Sequence, residues 1–348
     1  MIPRILLLTT AVWLGSCGSI PESKKADQPL VPKARVYVTN EASGDLSVID
    51  AATNQVTATI PLGKRPRGIQ ISHDKKSLMI ALSGSPFAGP GVDKSKLPPP
   101  DRAADGVAVL DAITHKLIRM LDVGPDPEQF ALNAAGTRLF IANEDAAIAS
   151  VFDLATVSVI HTVKVGEEPE GVTLSPDGKT VYVTSEDEGT VYAIDAESYK
   201  ILAKIPVGHR PRSVAFLPDG SKAYVTLESD GAVAVLDARA HKKLRIVQLG
   251  DEKVRPMGAV VAPDGKTVYI SCGSYGHVML IDPAKDVPAG AIAVGKRPWG
   301  IALSRDGKTM YTANGPSGDV SVVDTASKKE IAKIKVGDRP WGVAVLEE

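Results

Sequence analysis

The chain has 348 residues, a formal net charge of −1, 44% hydrophobic residues and two cysteines, Cys17 and Cys272. That balance creates no general field to attract nucleic acid or an anionic membrane. Two cysteines so far apart supply no disulfide framework, CxxC pair or CxxCH haem-attachment site.

Residues 1–17, MIPRILLLTTAVWLGSC, carry a positive start at Arg4, an apolar run from Ile5 to Leu14, then small residues. The apolar run is too short to span a bilayer and reads as a secretory signal. Leu14-Gly15-Ser16-Cys17 has the form of a bacterial lipobox, so Cys17 is the expected lipidation site and new N-terminus. Residues 18–34 are polar and proline-bearing, as in a flexible tether. The folded domain is expected over 35–348, outside the cytoplasm: a lipoprotein of the periplasm or cell surface.

From there the chain repeats itself. A G-x-x-P turn recurs with its prolines at 66, 127, 169, 211, 256, 298 and 340, spaced by 61, 42, 42, 45, 42 and 42 residues. An apolar run closed by aspartate recurs at Asp50, Asp111, Asp153, Asp195, Asp237, Asp282 and Asp324. A short strand of the YVTN type recurs at 37–40, 79–82, 140–143, 182–185, 224–227, 269–272 and 311–314. Three markers with seven copies each predict an all-β, seven-bladed β-propeller.

Blade 4 serves as the pattern. Strand A is expected at Glu170–Ser175, B at Thr180–Ser185, C at Thr190–Asp195 and a solvent-facing D at Lys200–Val207, with Pro176-Asp177-Gly178 turning A into B. The domain starts at a strand B, Arg35–Asn40, and ends with an orphan strand A, Trp341–Leu346. These should pair, closing the ring and burying edges that would otherwise recruit other chains. The long spacing comes from an insertion in blade 2, residues 83–104, SGSPFAGPGVDKSKLPPPDRAA. Its Gly/Pro content predicts a loop, overhanging the face that carries the G-x-x-P turns.

Catalytic signatures such as GxSxG, HExxH or a phosphate-binding glycine loop are absent from the sequence. The six histidines show no metal-ligand spacing; His73, His115 and His241 are expected at the surface, and His161 in a strand D. His209, in the turn Gly208–Arg212, is the one histidine placed near the G-x-x-P face. Cys272, ending a strand B, reads as a buried thiol, with a reactive thiol as the alternative. No metal site is expected.

More specific is a ring of charge at the turns. Before the prolines stand Arg65, Asp126, Glu168, Arg210, Arg255, Arg297 and Arg339; after them stand Arg67, Glu128, Glu170, Arg212, Met257, Trp299 and Trp341. These positions open the innermost strands and should encircle one mouth of the central channel. The acids cluster on blades 3 and 4, deepened by Glu144, Asp145, Glu186, Asp187 and Glu188; the other blades are basic. Arg65, Arg67, Arg210, Arg212, Arg297 and Arg339, with Trp299 and Trp341 as a stacking platform, are the candidate ligand- or partner-binding residues. The competing reading is structural: arginines that brace each blade on the next by binding backbone carbonyls or the recurrent strand-end acids.

The YVTN…G-x-[LV]-[SV]-V-[IV]-D pattern with V-G-x-x-P-x-G resembles the YVTN-type β-propeller repeat over 35–346. The order of variants, Arg65–Gly68, Gly124–Leu132, Ala142–Asp145, Val165–Gly171 and Arg297–Gly300, resembles propellers associated with PQQ-dependent catabolism. The insertion and the lipobox depart from that pattern. The resemblance implies a non-catalytic extracytoplasmic binding or scaffold protein linked to quinoprotein oxidation, with PQQ or another anionic ligand as the candidate cofactor. Related propellers imply two further possibilities. One is a haem-binding domain, for which only His209 could supply an axial ligand. The other is a lactonase-like hydrolase with Glu168 or Glu170 and His209 as base. A purely structural cell-envelope protein is the remaining alternative.

Overall fold

The computed structural model describes residues 34–87 and 96–348. The signal, lipobox and most of the tether lie outside the described residues. The described chain forms seven four-stranded antiparallel sheets, the expected seven-bladed propeller. In blade 4 the strands are Pro169–Leu174, Thr180–Ser185, Thr190–Asp195 and Ile201–Pro206 from the axis outward. Strands B and C match the sequence expectation; A and D differ by one residue at their ends.

Burial explains the pattern of each strand. Thr180–Ser185 and Thr190–Asp195 are buried on both faces, whereas Ile201–Pro206 is largely exposed. A blade is therefore covered by neighbours on both sides, so its middle strands read as continuous apolar runs. The core divides accordingly. One cluster joins Phe140 and Val151 of blade 3 to Val172, Val183 and Tyr192 of blade 4. The next joins Tyr182 and Val191 of blade 4 to Val214 and Val225 of blade 5.

The repeated polar residues bind blade to blade. In the YVT strands the Thr hydroxyl reaches the next blade: Thr39 Oγ1 donates to the Arg67 carbonyl at 2.8 Å and Thr226 Oγ1 to that of Met257 at 2.7 Å. The tyrosine reaches further out. Tyr37 Oη donates to the Ala112 carbonyl at 2.9 Å and Tyr224 Oη to Asp286 at 2.7 Å. The closing aspartates serve their own turns. Asp195 Oδ1 accepts from the Ser198 N–H at 2.7 Å and hydroxyl at 2.8 Å, which holds its carboxyl below the ordinary range.

Ring closure is as expected. Pro340–Glu347 becomes the innermost strand of blade 1, antiparallel to Ala34–Asn40, with Val36 opposite Val345 and Val38 opposite Val343. In five blades a glycine two residues after the proline lets inner strands approach one another: a Cβ on Gly258 would meet the Trp299 carbonyl at 2.6 Å. Each residue preceding a G-x-x-P proline is non-glycine and left-handed, with φ from 41° at Arg65 to 54° at Arg339.

Candidate functional site

The G-x-x-P turns surround a cavity of about 540 Å³ at one mouth of the channel. All eight candidate residues, Arg65, Arg67, Arg210, Arg212, Arg297, Trp299, Arg339 and Trp341, line it. So do Ser85, Pro86, Phe87 and Leu97–Pro100 of the insertion, which overhangs this face as expected. Its described part includes a 3-10 turn, Arg102–Ala104, tied to the rim through Arg102 and Asp145 at 2.5 Å.

Four of the arginines are consumed by ion pairs. Arg67 contacts Glu41 (3.1 Å), Glu128 and Glu144 (3.4 Å). Arg65 contacts Glu41 at 3.0 Å. Arg212 bridges Glu170, Glu186 and Glu228, the last at 3.2 Å. Arg210 contacts Glu186 (2.5 Å) and Glu228 (3.4 Å). The bracing that the sequence offered as a competing reading is thus real for these four. Its partners are the glutamates that follow strands B, Glu41, Glu144, Glu186 and Glu228, with Glu128 and Glu170 on strands A, and for Arg65 also the Ser85 carbonyl at 2.9 Å; the aspartates closing strands C cap the C–D turns instead.

These pairs set the local proton affinities. Burial lifts the carboxyls of Glu170 and Asp126 above their ordinary range despite the nearby arginines. At Glu228 burial acts in the same direction, but Arg212, Arg210, Arg255 and Arg297 together hold the carboxyl below it.

Arg297 and Arg339 differ. Among the described residues neither has a carboxylate within ion-pair distance. Arg297 lies over the Trp299 ring at 5.3 Å, and Arg339 lies over Phe87 of the insertion at 3.8 Å. Burial, then the neighbouring Arg255, Arg212 and Arg339, push the Arg297 guanidinium below its usual range, against the pull of Glu228. Trp299 and Trp341 are neighbours, 5.8 Å between centroids and inclined at 47°. They do not form an open stacking platform: Trp341 is only 7% exposed, and Trp299 carries Arg212 at 5.2 Å as well as Arg297. The Trp299 indole instead holds two guanidinium groups.

His209 is not in the cavity. Its side chain is 83% exposed and pairs outward with Asp230, Nδ1 to Oδ1 at 2.7 Å. The haem and His-assisted hydrolase readings lose the group they needed. His115 and His241 are half-buried rather than surface residues, packed against Tyr37 and Tyr182 of the preceding blade, and burial lowers both. His73 lines the opposite end of the channel, in a second cavity of about 450 Å³. Cys272 is fully buried, and desolvation pushes its thiol up to about 12.

Sequence reasoning missed Glu41, Glu228 and Phe87 as mouth residues. It also missed that Asp126, Glu128 and Glu144 bring carboxylate oxygens within 4.8 Å of one another. Arg67 already binds two of these three acids.

Two family models match parts of the chain: a seven-bladed lactonase propeller over residues 166–331 and a YNCE-like β-propeller over 103–222. No curated protein matches it. Among solved structures, the chain is similar to hydrazine synthase from Kuenenia stuttgartiensis, with 21% identity, 89% of this chain and 99% of that one covered, and a TM-score of 0.71. A putative 6-phosphogluconolactonase from Bacteroides uniformis gives 18%, 90%, 99% and 0.71. A functionally unknown protein from Desulfotomaculum acetoxidans gives 14%, 90%, 99% and 0.73. Identities this low establish the shared fold. The narrower likeness to PQQ-associated propellers rests on the sequence motifs alone.

Proposed function

We propose that the protein is an extracytoplasmic binding module, lipid-anchored through Cys17, whose channel mouth recognises a small anionic ligand, free or carried by a protein partner. The observation that carries this reading is the state of the mouth. Arginines from several blades converge on one cavity, and two of them keep their charge unmatched by any described carboxylate. Meanwhile the groups that would ordinarily do chemistry are engaged elsewhere: the Cys272 thiol is buried and the His209 imidazole faces solvent. A wall of oriented guanidinium groups, half-buried at Arg65, Arg210, Arg297 and Arg339, suits recognition of an oxyanion by charge-assisted hydrogen bonds.

Calorimetric titration with dicarboxylates, phosphomonoesters and quinone carboxylates tests this. Arg65, Arg210, Arg297 and Arg339 are each replaced by Ala, and folding is verified by circular dichroism. Binding that survives all four replacements puts the ligand elsewhere and ends the reading. Palmitate labelling that persists in Cys17→Ser would remove the anchor.

The lactonase model over 166–331 favours a second reading, ring-opening of an anionic lactone. Water would need a general base, and Glu170, whose carboxyl burial has raised, is the best-placed candidate among the described residues. Lactone hydrolysis with and without divalent cations, lost in Glu170→Gln, would support it. No turnover with any lactone leaves the binding reading alone.

A further inference from the structure

The residue after strand B occupies an equivalent place in six blades. Its N–H donates to the carbonyl of a pre-proline residue: Glu41 to Arg339, Glu144 to Asp126, Glu186 to Glu168, Glu228 to Arg210, Gly273 to Arg255 and Gly315 to Arg297, all at 2.8–3.2 Å. Four of the six are glutamates, and they supply the carboxylates that bind the mouth arginines. Two, adjacent in the ring, are glycines.

Backbone conformation does not require those glycines, since neither has positive φ. At Gly315 packing does not require glycine either: a Cβ there would have the Arg297 and Pro340 carbonyls at 3.8 Å and Trp299 Cδ1 at 3.9 Å as its nearest neighbours. At Gly273 a Cβ would press on the Arg255 carbonyl at 3.3 Å, with Met257 Cγ at 3.5 Å and Arg297 Cγ at 3.6 Å, so a side chain fits there only with a small shift. Side chains there would project beside Arg297 and Trp299. The sector therefore lacks two carboxylates that four of the other five blades possess, blade 2 carrying Ser83 there, and it lies next to the two arginines that have no acid. Aromatic faces hold those arginines instead, Trp299 under Arg297 and Phe87 under Arg339. A cation–π contact orients a guanidinium without neutralising it and leaves its N–H donors available.

We infer that the sector bounded by Gly273, Gly315, Arg297 and Arg339 is a subsite for a small doubly charged oxyanion, a dicarboxylate or a phosphomonoester, whose charge takes the place of the two missing glutamates. This rests on the proposed anion recognition at the mouth and locates it. Elsewhere around the ring an incoming anion must displace a glutamate from an arginine; here nothing has to leave. The blade 2 insertion contributes Phe87, so it belongs to the subsite rather than merely covering it.

The test uses succinate, phenyl phosphate and, as a monoanion, acetate, titrated into the full chain at low ionic strength. Calorimetry and tryptophan emission follow binding. Apart from Trp13 in the leader, the only tryptophans are Trp299 and Trp341, so a change in emission reports on this sector. Succinate or phenyl phosphate is expected to bind well ahead of acetate, and which of the two does so identifies the source of the dianion. Gly315→Glu is expected to weaken binding by about tenfold or more, while Gly315→Gln, equal in size but uncharged, weakens it far less. If Gly315→Gln is as damaging as Gly315→Glu, bulk rather than charge is responsible and the inference falls. Acetate binding as tightly as the dianions overturns the ligand class. Binding that ignores Gly315→Glu but is lost in Arg65→Ala and Arg210→Ala overturns the location while leaving the mouth reading standing. A wild-type chain that binds none of the three probes removes the mouth reading, and this one with it.

Discussion

Arg212 is the point where the mouth's electrostatics meet its stability. It bridges Glu170, Glu186 and Glu228, and the latter two side chains are only 3% exposed. Arg212→Ala leaves buried carboxylates with Arg210 and Arg255 as remaining partners for two of them. Removing one partner of a buried ion pair costs about 3–5 kcal/mol, a large share of a typical domain's stability of roughly 5–15 kcal/mol.

The pH dependence follows from the sign of the shifts. In the native chain the arginines hold Glu228 below its ordinary range. Its contribution is therefore present above the unfolded-state pKa and is lost as pH falls through the lower folded value. Without Arg212 burial prevails and the carboxyl rises, so the folded variant takes up a proton more readily than its unfolded chain. Its stability then improves as pH falls toward the glutamate range. The deficit relative to wild type is thus expected to be widest near pH 7 and to narrow by about pH 5. Urea unfolding followed by far-UV circular dichroism at several pH values measures both effects. A deficit below about 1 kcal/mol at neutral pH, where a buried pair should cost several, would refute the reasoning, as would a deficit that does not change on acidification.

Three further outcomes follow from the same contacts. Ending the chain at Arg339 deletes Pro340–Glu347 and bares the inner edge of Ala34–Asn40; the product is expected to aggregate on size-exclusion chromatography, since an exposed edge strand recruits partners. In a Cys17→Ser background Cys272, its thiol pushed to about 12 by burial, should resist Ellman's reagent until urea unfolds the chain, and rapid labelling of the folded form would contradict its placement. Tyr224→Phe removes the 2.7 Å hydrogen bond to Asp286, which keeps Lys222 Nζ at 2.8 Å; a loss of about 1.5–3 kcal/mol in urea denaturation is expected for a hydrogen bond to a charged group.

The fold was legible because the contacts between blades repeat. The Thr hydroxyl and Tyr hydroxyl of each YVT strand meet the next blade at fixed places, so the residues that make those contacts recur with the period. The site was legible only in part, because its partners come from different blades. Arg65 and Arg210 occupy the same position of the repeat as Arg297, and nothing within their own turns separates them. The distinction lies on the preceding blade, in Glu41 and Glu186 against Gly273 at the ends of strands B. That signal is in the sequence, but it acquires meaning only once the two loops are known to meet. His209 shows the converse. Its turn lies on the correct face, yet the Asp230 carboxylate draws the ring outward. Phe87 lies inside an irregular insertion, where composition indicates a loop on the correct face but not which side chain will meet Arg339.

The left-handed residues before the prolines separate folding from recognition. A non-glycine residue in this conformation costs roughly 1–2 kcal/mol. At Arg210, φ 51°, ion pairs to Glu186 and Glu228 offset that cost. At Arg297, φ 52°, no ion pair does: the guanidinium lies over Trp299 and feels Glu228 only at longer range, while burial and then Arg255, Arg212 and Arg339 act against its charge. Glycine at 297 relieves the strain and the repulsion but adds unfolded-chain entropy worth about 0.4–1 kcal/mol. Arg297→Gly is therefore expected to unfold at the same urea concentration as wild type or a higher one, and Arg210→Gly at a clearly lower one. In the same measurements an anion that binds the sector should raise the wild-type midpoint and leave that of Arg297→Gly unmoved. A residue that lowers stability while it is present has been retained for something other than the fold. If Arg297→Gly proves as unstable as Arg210→Gly, Arg297 is one more brace between blades, and the arginine ring is structural throughout.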